Sequence, residues 1–235
     1  MSPTVYVGMR WLFPVSAGTM YYEFVSKQMG ETTVTLRKWW YLFWTTLLVG
    51  GVAAFVPGSI LLFTDRTFVA DFTTGEYIFN LVQLFGAGLM FSVLSQMGFF
   101  AYLTLNYIAL SIFRQPVLWK TLQVIVVVVV AFDLVYLPYS AEGSSPLWTY
   151  MLLTALLVGL SALMANWKVR MTNKTAWIPT MFFLVTATAL EAVPALQENN
   201  WNGIVTMMIP LFACNAWQIL KLHTLVGTGS QAQGN

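Results

Sequence analysis

The chain is 235 residues long, 58% hydrophobic and only 9% charged, with a net charge of +2. Water-soluble domains carry roughly 25% charged residues, and so few charges cannot cover a surface of this size without large exposed apolar patches. The composition excludes a soluble enzyme, a disordered chain and a nucleic-acid binder with a broad basic face. It leaves an all-α integral membrane protein that crosses the bilayer several times.

Residues 1–36 contain no spanning segment. The apolar piece at residues 11–15 is shorter than the roughly 7–15 residues of a secretory core, and Pro14 interrupts it. The segment therefore reads as a cytoplasmic N-terminal extension and not as a signal peptide. Met29-Gly30-Glu31 forms a compact start ahead of the basic pair Arg37-Lys38, which marks residues 1–28 as a dispensable extension or a misassigned start. The membrane domain is expected over residues 37–222, and residues 223–235 read as a flexible cytoplasmic tail.

The first span covers residues 39–63, where Gly50 and Ala54 form a small-xxx-small pair that lets another helix approach closely. After an acidic loop comes an apolar stretch at residues 77–113, followed by spans at 118–137, 147–166, 177–195 and 203–220. The 37 residues from 77 to 113 would make a helix of about 55 Å, whereas a bilayer core needs about 30 Å. The stretch either crosses once and overshoots, or turns near Ser95-Gln96-Met97-Gly98 and crosses twice.

Charge decides between them. With one crossing and the N-terminus inside, ten of the eleven basic residues fall on the cytoplasmic side and only Arg66 lies outside, as the positive-inside rule requires. A second crossing would move Arg114, Lys120, Lys168, Arg170 and Lys174 outward. Six spans with both termini in the cytoplasm are expected, with seven as the alternative. The overshoot, residues 99–113, is then a cytoplasmic-side continuation or a helix lying in the interface, where its aromatic residues suit the headgroup zone.

Asp133 and Glu191 are the acidic side chains inside the spans, and intramembrane carboxylates are candidate functional groups. They lie fifteen residues past Leu118 and fourteen past Trp177, so each sits about 21–22 Å deep, under the outer leaflet. Asn80 and Gln83 share one helix face and the same expected layer. The four suggest an outer polar patch open to a small ligand, a proton or a partner helix, a sensing or coupling site. The plainer reading is helix-end groups that snorkel to water or merely pair with neighbouring amides.

Asn215 and Gln218 read as helix–helix hydrogen-bonding groups, and Lys168, Arg170 and Lys174 as topology anchors touching anionic headgroups. Gly159-Leu160-Ser161-Ala162 reads as a packing element, because no span carries a histidine to activate the serine. One cysteine, Cys214, and one histidine, His223, cannot assemble a zinc site. No catalytic residue, metal or other cofactor is expected.

Four stretches carry a resemblance: RKWWYLFWTTLLVGG at 37–51, GFFAYLTLNYIALSIFR at 98–114, FDLVY at 132–136 and IPLFACNAWQILKL at 209–222. Together they resemble the KinB-signalling pathway activation proteins, KbaA-like, of endospore-forming bacteria. The resemblance covers residues 37–222, and the extension before Met29 departs from it. It implies a multi-pass regulator in the cell membrane, needed by a membrane sensor histidine kinase that feeds the sporulation phosphorelay, with no catalytic residues to carry over. The lipid bilayer and that kinase are the expected partners, with no nucleic acid. The rival reading is a small transporter or ligand-binding membrane protein that uses the outer polar patch.

Overall fold

The computed structural model describes residues 36–64, 74–113, 115–140, 146–198 and 201–227. The expectations for residues 1–28 and for most of the tail lie outside the described residues. Residues 40–223 form one compact unit. The described elements are all helical: α1 (Leu36–Thr64), α2 (Thr74–Ile112), α3 (Pro116–Ser140), α4 (Leu147–Met171), a 3-10 turn (Lys174–Ala176), α5 (Trp177–Glu198) and α6 (Trp201–Gly227). All six α-helices are long and apolar enough to cross a membrane.

The long apolar stretch is one helix. α2 runs 39 residues, about 58 Å, with no turn at Ser95–Gly98, so the seven-span alternative has no seventh helix among the described residues. The expectation that residues 99–113 could lie in the interface is also overturned. Phe99, Tyr102 and Ala109 are buried, at spacings that keep them on one helix face. Phe99 packs edge-on against Phe183 of α5 with ring centroids 5.5 Å apart, and the Tyr102 hydroxyl donates to the Pro179 carbonyl at 3.4 Å. Residues 99–112 are thus the continuation of a bundle helix, with only its other face, including Phe100 and Tyr107, left exposed.

The turn into α3 is pinned from both sides. Phe113 stacks on Trp119, and the Trp119 indole N–H donates to Asn106 Oδ1 at 2.9 Å. Pro116 opens α3, where its missing N–H costs no intrahelical bond. The α4–α5 turn uses the same device, with the Trp177 indole donating to Asn166 Oδ1 at 3.0 Å.

α5 is the central helix, packed against α2, α3 and α4. In its apolar window 61% of residues are buried, against 17–28% in α1 to α4, and α6 follows at 50%. The small residues Ala189, Ala192 and Ala195 let Leu134, Leu157, Ile204 and Leu211 close around it. α4 contributes a stripe at helical spacing: Tyr150, Thr154, Leu157, Ser161, Ala165 and Lys168. Ser161 therefore faces the interior, while Gly159 faces outward with nothing near it, so the packing reading holds for the serine and not for the glycine. Lys168 ends the stripe. It turns inward, and its Nζ donates to the Ile219 carbonyl of α6 at 2.6 Å. That corrects its reading as a headgroup anchor; Arg170 and Lys174 remain exposed.

α1 and α2 meet backbone to backbone. A Cβ added at Gly50 would lie 2.7 Å from the Gly88 carbonyl oxygen and 2.8 Å from Ser92 Cβ. One added at Gly88 would lie 2.7 Å from Ala54 Cβ. The expected Gly50/Ala54 pair thus has its partner in Gly88, and Gly58 extends the stripe to meet Leu84. Without a hydrophobic drive between helices in lipid, such close packing is a main source of association energy. Gly88→Leu should destabilise the detergent-solubilised protein by about 1–3 kcal/mol, the usual penalty for overpacking. Gly86→Leu, whose added Cβ meets nothing within 4 Å, should leave the thermal midpoint unchanged. Equal midpoints for the two variants would show that the crossing does not hold the helices together.

Candidate functional site

The four candidate residues do not form one patch. Glu191 lies on α5, and its Oε2 accepts a hydrogen bond from Asn215 Nδ2 of α6 at 3.0 Å. Its Oε1 is buried, has no hydrogen-bond partner among the described residues, and abuts Gly98 of α2 so closely that a side chain there would collide with it. Asn80 is half-buried and Gln83 exposed. Gln83 precedes Gly98 by fifteen residues, about 22 Å along the helix axis. Asp133 is half-buried on α3 beside core residue Leu134, and no hydrogen bond or ion pair joins it to Glu191 among the described residues.

The physical reason is register. Counting depth from the span ends aligns Glu191 with the first turns of α2. The actual alignment is set by Phe99 and Tyr102 against Phe182 and Phe183, which brings Ser95 and Gly98 to the carboxyl instead.

Asn215 is the hub of what does assemble. Its Oδ1 accepts from Ser95 Oγ of α2 at 2.8 Å. Its amide donates to Thr188 Oγ1 of α5 at 3.1 Å as well as to Glu191. One fully buried amide therefore ties three helices. Asn215 thus does what its sequence context suggests. Gln218, one turn on, is fully buried but has no partner for either amide atom among the described residues.

A neighbouring group extends the polar seam to α1. Ser92 Oγ donates to the Thr46 carbonyl at 2.5 Å and lies 3.5 Å from Cys214 Sγ. Gln96 Nε2 donates to the Phe43 carbonyl at 3.3 Å, and the Trp217 indole donates to Thr45 Oγ1 at 3.2 Å. Ser95 and Thr188 were not singled out from sequence. Their signal is spacing: Ser92 and Ser95, like Thr188 and Glu191, are three residues apart inside apolar runs and so share a helix face.

The energetics limit what the cluster can do. Interhelical hydrogen bonds in membranes average about 0.6 kcal/mol, whereas an ionised acidic side chain at a helix centre costs about 2.5–3.5 kcal/mol on insertion scales. A single amide donor does not offset a full charge. Among the described residues no group of three or more His, Cys, Asp or Glu could hold a metal ion. The groove of about 370 Å³ between α4 and α6 is lined by apolar side chains such as Leu156, Met208 and Phe212, and it offers no reactive group. The hydrogen bonds of the cluster join α2, α5 and α6.

No solved structure matches the chain. Residues 50–225 match the family model described as KbaA, KinB-signalling pathway activation in sporulation. The chain is 36% identical over 183 residues to the KinB-signaling pathway activation protein of Bacillus subtilis (strain 168), covering 77% of this chain and 92% of the relative. The four apolar stretches that carry the resemblance thus belong to a match over most of the sequence, and the chain is a member of the KbaA family of KinB-signalling pathway activation proteins.

Proposed function

We propose that the protein is a multi-pass regulator of the cytoplasmic membrane that promotes the activity of a KinB-type sensor histidine kinase feeding the sporulation phosphorelay. The observation that carries this reading is the family match along three quarters of the chain. The polar seam supports it, because a regulator working through its spans needs helix contacts and a group that can alter them, not a nucleophile. The transporter reading draws on a joint patch of Asp133, Glu191, Asn80 and Gln83, but Gln83 lies about 22 Å along α2 from the turn that meets Glu191, and no hydrogen bond joins Asp133 to Glu191 among the described residues. The kinase is the partner proposed here.

The proposed orientation is N-in/C-in. Reporter fusions within residues 141–146 should read outside, and fusions after Met171 and after Gly227 should read inside. An outside reading after Met171 would reverse the assignment.

Glu191 is the proposed coupling group, and Asp133 a separate candidate on α3. In a sporulating host, Glu191→Gln should cut kinase-dependent sporulation severalfold at unchanged protein level, and Asp133→Asn should do so if the second carboxyl also couples. Deletion of the gene should abolish the same output without altering solute uptake. Normal sporulation in the deletion strain would refute the regulator reading, and normal sporulation with Glu191→Gln alone would move the coupling surface elsewhere.

A further inference from the structure

We propose that Glu191 is a proton-binding site inside the bundle, and that its neutral carboxyl fastens α5 to α2 and α6. The geometry supplies the reasons. The carboxyl receives one donor, the Asn215 amide, and that amide's other contacts are already taken by Thr188 and Ser95. Oε1 is buried, partnerless and pressed against Gly98. A buried anionic oxygen needs donors or a cation, and among the described residues neither reaches this one. A neutral acid keeps Oε2 as an acceptor for Asn215 and leaves Oε1 uncharged against the α2 backbone.

The charged and titratable neighbours on the surrounding helices do not supply a counter-ion. On α2 the nearest such group is Tyr102, one turn past Gly98, whose hydroxyl donates to the Pro179 carbonyl. On α6 it is Cys214, held by Ser92 and Thr46. On α4 the titratable side chains of the buried stripe are Tyr150, a phenol that brings no positive charge, and Lys168, whose ammonium is bound to the Ile219 and Leu220 carbonyls. On α3 it is Asp133, a carboxyl and therefore no source of positive charge. Removing the proton therefore leaves an unpaired charge at the contact of α2 with α5, and the charge is relieved by letting the helices part and water enter.

This deepens the reading of Glu191 as the coupling group and rests on it, naming the proton as what the group binds. Its test needs no kinase. The full chain is placed in vesicles of phosphatidylethanolamine and phosphatidylglycerol. Infrared difference spectra at neutral pH should contain the C=O stretch of a protonated carboxylic acid that disappears in Glu191→Gln and persists in Asp133→Asn. Gly98→Ala, whose methyl would occupy the place of Oε1, should shift that band even if the Gln variant accumulates poorly.

Cys214, the single cysteine of the chain, reports the fastening. Its alkylation by a membrane-permeant maleimide should match that of Glu191→Gln at mildly acidic pH and exceed it severalfold at alkaline pH. A negative Glu191 can only slow thiolate formation nearby by like-charge repulsion, so a rise in the ratio to the Gln variant reports access and not acidity. Absence of the carboxylic-acid band at neutral pH overturns the proton site. A band with a flat alkylation ratio overturns the fastening. Either failure leaves the kinase reading standing, and a sporulation result in either direction leaves the vesicle measurements unchanged.

Discussion

In a bilayer the outside of a helix bundle is as apolar as its inside, so burial alone cannot choose one arrangement of helices. The contact that makes the choice here is the backbone-to-backbone crossing of α1 and α2 at Gly50, Ala54 and Gly88. Its consequences run along the same two helices. With the backbones that close, Ser92 reaches the Thr46 carbonyl and Gln96 reaches the Phe43 carbonyl. Cys214 and Trp217 of α6 close over the pair. The next turn of α2 then presents Ser95 to Asn215 and Gly98 to Glu191. Small residues fix the distance, and the polar side chains that distance admits fix the rotation.

The same logic explains why α5 can be the most buried helix and still carry a carboxyl. Its alanines accept neighbours from several sides, and the polar face of Thr188 and Glu191 is met by one amide instead of by water. Lys168 follows a parallel rule at the end of α4. Its charge is placed on the carbonyls of α6, the kind of acceptor a cation finds along the C-terminal half of a helix.

Much of this architecture is legible in the sequence, for physical reasons. Apolar runs long enough to cross a bilayer can be little else, and the turn residues and basic clusters between them divide the chain into six. Gly50 and Ala54 advertise a close contact by size alone. Asn215 is legible as a helix–helix group because an amide inside an apolar run must bond to something. Register is not legible. Which turn of α2 faces Glu191 depends on how Phe99 and Tyr102 seat against Phe182 and Phe183, a matter of three-dimensional fit that no spacing along one helix encodes. The inward turn of Lys168 is hidden for a related reason. A lysine next to Arg170 near a helix end looks like an interfacial anchor until the buried stripe of α4 is seen to continue through it.

The unbroken length of α2 gives the molecule a mechanical property. Along one rod lie the crossing with α1 at Gly88, the seat of the Glu191 carboxyl at Gly98, and the Asn106 bond that holds the turn into α3. Long helices curve gently and kink only at identifiable breaks, and α2 contains no proline. Backbone contact at Gly88 leaves no slack there, and Phe99 and Tyr102 seat the same rod on α5. Gly98 and Asn106, about 12 Å apart along the axis, are therefore held in fixed relation, and the seat of the Glu191 carboxyl and the turn into α3 are parts of one stiff member.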